Sequence, residues 1–189
     1  PKYMSNRDPM TLKPLFKLWN FLLASFSIIG AWYTAPPLFK FLSTKGLRFT
    51  VCQDPADEYY YDGNGGFWFF AFALSKIPEL GDTLFLAVQK KPIIFLHWYH
   101  HITVLLYCWH SYQTRVAGGL YFAAMNYCVH SIMYSYYFLM CFPAARKVIR
   151  RIAVFITSIQ LLQMCVGVAI TVITAYYYQR SLQTGEHCH

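Results

Sequence analysis

Apolar residues along the chain gather in five long stretches, at roughly 15–40, 66–89, 92–112, 117–142 and 152–178. A helix of about 20 such residues crosses the roughly 30 Å hydrocarbon core of a bilayer. The stretches are too long for strands, and they lack the alternation of a membrane β-barrel. The pattern predicts an all-α polytopic membrane protein with five transmembrane helices, in one domain over 1–189.

Composition supports this class. Of the 189 residues, 57% are hydrophobic and 13% are charged, whereas a soluble domain carries about 25% charged residues. The same numbers exclude a disordered, collagen-like or coiled-coil chain. Residue 1 is Pro rather than Met, so we expect the chain to begin inside something longer.

Basic residues in the connections predict the orientation. If five helices alternate, one side collects Lys2, Arg7, Lys13, Lys17, Lys90, Lys91, Arg146, Lys147, Arg150 and Arg151. The other side has fewer: Lys40, Lys45, Arg48, Arg115 and Arg180. The positive-inside rule places the richer side, with the N-terminal arm, in the cytosol, and the C-terminal tail on the lumenal or extracellular side. Topology thus explains the net charge of +8 without a nucleic-acid partner, although cytosolic basic loops also suit an anionic substrate or anionic lipids.

Two of the six cysteines, Cys52 and Cys188, fall in the non-cytosolic regions, where oxidation is possible. We predict that they pair. The others lie in the apolar stretches without CxxC spacing, as expected of small packing residues; they are Cys108, Cys128, Cys141 and Cys165.

Ionisable residues inside the apolar stretches are costly in a membrane, so each is a functional hypothesis. The second stretch carries Lys76, Glu79 and Asp82 at helix-neighbour spacing. A buried Lys needs a carboxylate partner, which favours a Lys76–Glu79 ion pair. The alternative is that this trio only fixes helix packing.

The third stretch carries His97, His100 and His101, and the i, i+3, i+4 spacing places all three on one helix face. His110 points roughly the opposite way. In the fourth stretch Asn126 and His130 share a face.

Met133 and three tyrosines, Tyr134, Tyr136 and Tyr137, follow in the fourth stretch, and the polar residues Thr157, Gln160 and Gln163 follow in the fifth. The tyrosines are typical of packing or an interface belt. The two amides need hydrogen-bond partners in hydrocarbon, and interhelical bonding alone would explain them.

Three kinds of chemistry fit these residues. Imidazoles suit iron or zinc, and HxxHH resembles one box of the membrane desaturases and hydroxylases, but no second box follows. A non-enzymatic transporter also buries ionisable residues, although it predicts them along the full membrane depth. The third possibility is acyl transfer, because a dehydrated imidazole stays neutral at pH 7 and can act as base or nucleophile.

Four motifs together resemble the fatty-acid elongase (ELO) family, membrane 3-ketoacyl-CoA synthases of the endoplasmic reticulum. They are Lys76-x-x-Glu79-Leu80-x-Asp82-Thr83, His97-Trp98-Tyr99-His100-His101, Asn126-x-x-x-His130-x-x-Met133-Tyr134-x-Tyr136-Tyr137 and Thr157-x-x-Gln160-x-x-Gln163. The Trp98-Tyr99 filling looks most like elongases of saturated and monounsaturated chains. The likeness spans essentially the whole chain.

The resemblance implies a seven-helix bundle, with six helices forming a barrel around an acyl tunnel. Five of these helices are expected here, without the first and last. It implies condensation of a long-chain acyl-CoA with malonyl-CoA, without a cofactor or a metal. Other enzymes of the elongation cycle, membrane lipid and a second copy of the chain are the expected partners.

The resemblance also implies roles. His100 is the expected nucleophile and His130 the acid/base or enolate-handling group, while His97 and His101 orient the site and Asn126 donates to an oxyanion. The expected supporting polar network is Lys76, Glu79, Asp82, Tyr134, Gln160 and Gln163. The residues expected to receive the phosphates of CoA are Lys90, Lys91, Arg146, Lys147, Arg150 and Arg151.

Overall fold

The computed structural model describes residues 12–52, 63–116, 118–185 and 188. Within them every regular element is helical, which confirms the predicted all-α class. The helices are α1 Lys13–Cys52, α2 Gly63–Glu79, α3 Gly81–Val88, α4 Phe95–Thr114, α5 Gly119–Met140, α6 Pro143–Ile149 and α7 Ala153–Thr184, with a 3₁₀ turn at Arg150–Ile152. The N-terminal arm with Lys2 and Arg7 lies outside the described residues.

The second predicted stretch, 66–89, is not one helix. It divides at Leu80 into α2 and α3. Pro78 lacks the N–H that would continue the helical ladder, and the N–H of Leu80 donates to the carbonyl of Ile77 at 3.1 Å in a tighter turn. The sequence prediction of a continuous helix was therefore wrong here, and a separate short helix carries Asp82 and Thr83.

α1 runs on well past the predicted end at residue 40. Its backbone breaks once, at Gly46, where φ is 79°. Such a positive φ is accessible to glycine without strain. The break turns the last residues of α1 so that Cys52 lies next to Cys188.

In the described part of the chain, two segments are long and apolar enough to cross a membrane, Lys13–Cys52 and Pro143–Thr184. α2, at 17 residues, is shorter, and the polar side chains of α4 and α5 lower their mean hydropathy. Large apolar side chains nevertheless cover the outside of the bundle; Trp32 and Val154, for example, are each 76% exposed. Apolar surface of this extent is typical of a lipid-facing protein, and the five-span count stays a prediction.

α1 and α5 pack against each other in opposite directions, α2 and α7 each contact both of them, and α4 packs on α2. At one end, the Lys17 ammonium group lies 3.8 Å from the centre of the Phe142 ring. At the other end, the Thr50 and Tyr121 hydroxyls are 2.7 Å apart. Midway, Gly30 leaves room for the Tyr127 ring, which would overlap a β-carbon there.

A disulfide joins Cys52 to Cys188, the pair that the sequence predicts. The two cysteines are 136 residues apart in the sequence, and the bond connects the end of α1 to the segment after α7. The four other cysteines are free. All the basic residues predicted to be cytosolic that the structure describes belong to the opposite end of the bundle.

Candidate active site

A cavity of about 1000 Å³ opens at the end of the bundle where α1 and α4 begin and α5 finishes. Its inner wall carries histidine, tyrosine and aspartate side chains, and its mouth carries basic ones. The polar lining residues are Lys13, Lys17, Asn20, Asp82, Gln89, Lys91, His97, His100, His101, His130, Tyr134, Tyr136, Tyr137, Arg146 and Gln160. The motif histidines from two separate helices therefore face one space.

Lys76 and Glu79 form a buried ion pair beside this cavity. The Lys76 ammonium group donates to the Glu79 carboxylate at 2.6 Å, and the Ser75 hydroxyl donates to the same oxygen at 3.1 Å. Lys76 is 2% exposed and Glu79 is 5% exposed. The ammonium group makes a second hydrogen bond, at 2.8 Å, to the side-chain oxygen of Asn126. Two motifs that lie 50 residues apart are thus joined by one ammonium group.

The Asn126 amide fixes how His130 carries its proton. Because the amide oxygen accepts from Lys76, the amide nitrogen faces Nε2 of His130 at 3.1 Å. An amide nitrogen only donates, so Nε2 accepts and the proton of the neutral ring is on Nδ1. Nδ1 lies 3.8 Å from the Glu79 carboxylate. The imidazole is held in a single tautomer by its neighbours.

Asp82 links three helices. The Trp19 indole N–H of α1 donates to one carboxylate oxygen at 2.8 Å, and the Tyr134 hydroxyl of α5 donates to the other at 2.7 Å. The Tyr134 ring packs edge-on against His130, with centroids 5.3 Å apart. On the next residue, the Thr83 hydroxyl lies 3.1 Å from Nε2 of His97.

The three histidines of the second motif share one helix face, as their spacing predicts. The rings of His97 and His101 have centroids 4.6 Å apart, and those of His100 and His101 are 5.6 Å apart. His100 is half-buried and lines the cavity, and its imidazole forms no hydrogen bond with a described residue. It is therefore free to meet a ligand, and so is His101, which also lines the cavity and forms no such hydrogen bond. In contrast, Nε2 of His97 and Nε2 of His130 are engaged. His110 is exposed and does not line the cavity.

The fourth motif contributes less than its spacing suggests. Gln160 lines the cavity and donates to the sulfur of Met133 at 3.0 Å. Gln163 is half-buried and does not line it, and the Thr157 hydroxyl returns to the carbonyl of Ala153 in its own helix. Of this motif, the structure places one residue at the site.

Of the basic residues expected to meet the phosphates of CoA, two line the cavity, Lys91 and Arg146. The other four, Lys90, Lys147, Arg150 and Arg151, do not. Two that the sequence reasoning assigned only to topology, Lys13 and Lys17, do line it. Position in a loop does not tell which lysine turns toward a cavity.

Three polar contributors were missed by the sequence reasoning: Trp19, Asn20 and Ser75. Asn20 is 1% exposed, and a lone amide in the first apolar stretch is a signal that could have found it. Nothing local marks Trp19, because its partner Asp82 is 63 residues away.

A metal centre finds no support in the geometry. In residues 12–52, 63–116, 118–185 and 188, no three His, Cys, Asp or Glu side chains are arranged to hold one ion. His130 turns Nε2 toward Asn126, and His97 turns it toward Thr83. Each of these two ring nitrogens therefore already has a hydrogen-bond partner in the protein.

Fold and site define a helical, multi-pass membrane protein with a buried cluster of histidine and carboxylate side chains facing one cavity. The profile of the ELO: GNS1/SUR4 family matches residues 1–189, and the chain belongs to this family. The family expected from the four motifs is thereby confirmed.

Named relatives support this assignment. The chain is 47% identical to fatty acid elongase 3 of Trypanosoma cruzi (strain CL Brener), over 98% of its length and 67% of the relative's. It is 52% identical to very long chain fatty acid elongase 4 of the same organism, over 92% and 60%. It is 49% identical to very long chain fatty acid elongase 6 of Gallus gallus, over 93% and 64%. The chain thus spans between 60% and 67% of the length of these relatives.

Proposed function

We propose that this protein is a very-long-chain 3-oxoacyl-CoA synthase, which condenses a long-chain acyl-CoA with malonyl-CoA in fatty acid elongation. The observation that carries the proposal is that His100 and His130, from different helices, face one cavity in a member of the ELO family. The names of the relatives, fatty acid elongases, supply the substrate class.

The first half of the reaction uses His100. Its free imidazole attacks the thioester carbonyl of the acyl-CoA; a C–N bond forms, the C–S bond breaks, and CoA leaves as the thiol with the imidazole proton. The product is an acyl-imidazole, a good acyl donor because imidazole leaves readily. Asn126 has one amide N–H left after its contact with His130, but its side chain is buried and does not line the cavity. A role as oxyanion donor therefore requires the acyl carbonyl to reach past the cavity wall.

The second half releases CO₂ from malonyl-CoA. The resulting enolate attacks the acyl carbon; a C–C bond forms and the C–N bond breaks. The departing imidazolate takes up one proton from solvent water in the cavity, which regenerates neutral His100. His130 lines the same cavity. Its Nε2 accepts from Asn126, whereas its Nδ1 lies 3.8 Å from the Glu79 carboxylate, too far for a hydrogen bond. The Nδ1–H is therefore the donor that we assign to enolate handling. Lys76, Glu79 and Asp82 hold this arrangement, and His97 and His101 orient it. No step requires a cofactor or a metal.

The cavity mouth suits the CoA part of the substrates. Lys13, Lys17, Lys91 and Arg146 line it, and lysine and arginine bind phosphate groups. We place this end in the cytosol and the disulfide end in the lumen of the endoplasmic reticulum, following the positive-inside rule. A transporter is less well supported, because the buried polar side chains concentrate beside one cavity.

The test is to incubate membranes containing the full-length protein with a long-chain acyl-CoA and search for acylated histidine by mass spectrometry. We expect the acyl group on His100, its loss when malonyl-CoA is added, and a 3-oxoacyl-CoA product. His100→Ala should abolish adduct and product, whereas His110→Ala, outside the cavity, should retain both. Absence of any malonyl-CoA-dependent product from wild type would reject the proposed function, and iron in the active protein would favour the oxygenase alternative.

A further inference from the structure

We propose that Trp19 is a positioning residue for the condensation: through Asp82 it holds Tyr134 against His130. Trp19 lies on α1, outside all four motifs. The inference rests on the proposed function, because it assigns a residue to that reaction.

The contacts form an unbroken line from α1 to the histidine. The Trp19 indole N–H donates to Oδ1 of Asp82 at 2.8 Å. The Tyr134 hydroxyl donates to Oδ2 of Asp82 at 2.7 Å, and its ring stands against the imidazole of His130, with centroids 5.3 Å apart. Tyr134 is 1% exposed, so its ring has little room to move while the hydroxyl stays bonded.

α3 needs such a tie because it is not a rigid continuation of α2. The chain turns at Leu80 after Pro78, and α3 is only eight residues long. The placement of Asp82 is therefore set by what packs across the start of α3. Trp19 does this: a β-carbon on Gly81 would lie 2.8 Å from Cζ2 of its indole, and its ring also contacts Phe85, with centroids 5.8 Å apart.

The placement of α3 also affects a second histidine, His97. Thr83, next to Asp82, places its hydroxyl 3.1 Å from Nε2 of His97. One short helix thus carries the contacts to His97 and, through Tyr134, to His130. If Trp19 no longer donates, one oxygen of a half-buried carboxylate lacks its protein partner, and the Tyr134 hydroxyl is free to follow the carboxylate as it shifts. None of these hydrogen bonds involves a basic residue of the cavity mouth, so we expect substrate binding there to change little.

The test compares Trp19→Phe with wild type in the full-length protein, using an assay of malonyl-CoA-dependent product normalised to active protein. Trp19→Phe keeps an apolar ring and removes only the indole N–H with part of the ring. We expect kcat to fall roughly ten-fold, as for loss of one hydrogen bond to a charged group, with KM for acyl-CoA changed by less than about two-fold. Trp109→Phe is the matched control: it also removes an indole N–H bond, at 3.0 Å to the carbonyl of Ala73, but away from the cavity.

A double-mutant cycle separates positioning from stability. If Trp19 acts through Tyr134, then Trp19→Phe should lower kcat much less in a Tyr134→Phe background than in wild type. Gly81→Ala is measured in parallel, because its β-carbon displaces the indole while every polar group remains, and it should also lower kcat.

The outcomes are distinct. An inactive wild type rejects the proposed function itself. An active wild type with unchanged kcat in Trp19→Phe and Gly81→Ala overturns the positioning role. Equal losses of kcat from Trp19→Phe in both backgrounds overturn it as well, because they show an effect that does not pass through Tyr134. If Trp19→Phe does not fold, an unchanged kcat in Gly81→Ala alone rejects the inference.

Discussion

The ammonium group of Lys76 lies 2.6 Å from the carboxylate of Glu79, and both side chains are buried in the bundle. A buried ion pair is expensive to desolvate, and removing one partner leaves an uncompensated charge. This pair lies next to Asn126 and His130. We infer that its function is to fix the tautomer of the His130 ring rather than to stabilise the fold.

If so, substitutions in the ion pair should affect the free energy of unfolding and product formation differently. Lys76→Met should lower the free energy of unfolding by about 3–5 kcal/mol, because Glu79 loses its partner. Adding Glu79→Leu should recover most of that loss without restoring product formation. Thermal melting in detergent and the condensation assay measure the two quantities; activity in the stable double variant would show that the pair is only structural.

The cavity mouth predicts that adjacent lysines behave differently. Lys91 lines the cavity and Lys90 does not. Lys91→Gln should raise KM for acyl-CoA about two-fold to five-fold and weaken its dependence on salt, as for the loss of one exposed ion pair. Lys90→Gln is the control and should leave KM unchanged. Equal effects of the two substitutions would mean that the overall positive charge of the loop matters, rather than a direct contact between Lys91 and the substrate.

The close contact between Gly30 and Tyr127 predicts a loss of stability when Gly30 is enlarged. A β-carbon there would overlap the Tyr127 ring, whose hydroxyl donates to the carbonyl of Trp68 at 2.9 Å. Gly30→Ala should therefore lower the free energy of unfolding by about 1–3 kcal/mol. Gly118→Ala is the comparison, since a β-carbon at that position makes ordinary contact with Ile170 at 3.6 Å. A Gly30→Ala variant that melts like wild type would contradict this packing.

The disulfide predicts that the protein migrates differently on reducing and non-reducing gels. Cys52→Ser should abolish a faster-migrating band on non-reducing gels and lower the free energy of unfolding by about 2–5 kcal/mol, because a long loop is no longer closed. Cys165→Ser, which changes a free and exposed cysteine, should retain the band. Unchanged mobility of Cys52→Ser would show that the bond does not form in the membrane-embedded protein.

Much of the site could be predicted from the sequence because its residues are spaced three or four apart within single helices. The spacing of His97, His100 and His101 places them on one face in any α-helix, and the same holds for Asn126 and His130. The Lys76–Glu79 pair is likewise local, at i, i+3. Cys52 and Cys188 could be paired from topology, because both fall on the same side of an alternating bundle.

What the sequence alone determined is therefore the helical class, the family and the residues that share each helix face, since helix periodicity is a local property. Tertiary structure decided the rest: that Trp19 meets Asp82 across 63 residues, that the second stretch divides at Leu80, and that Lys91 rather than Lys90 reaches the cavity. These depend on the angles and depths at which separate helices pack, and no spacing within one helix encodes them.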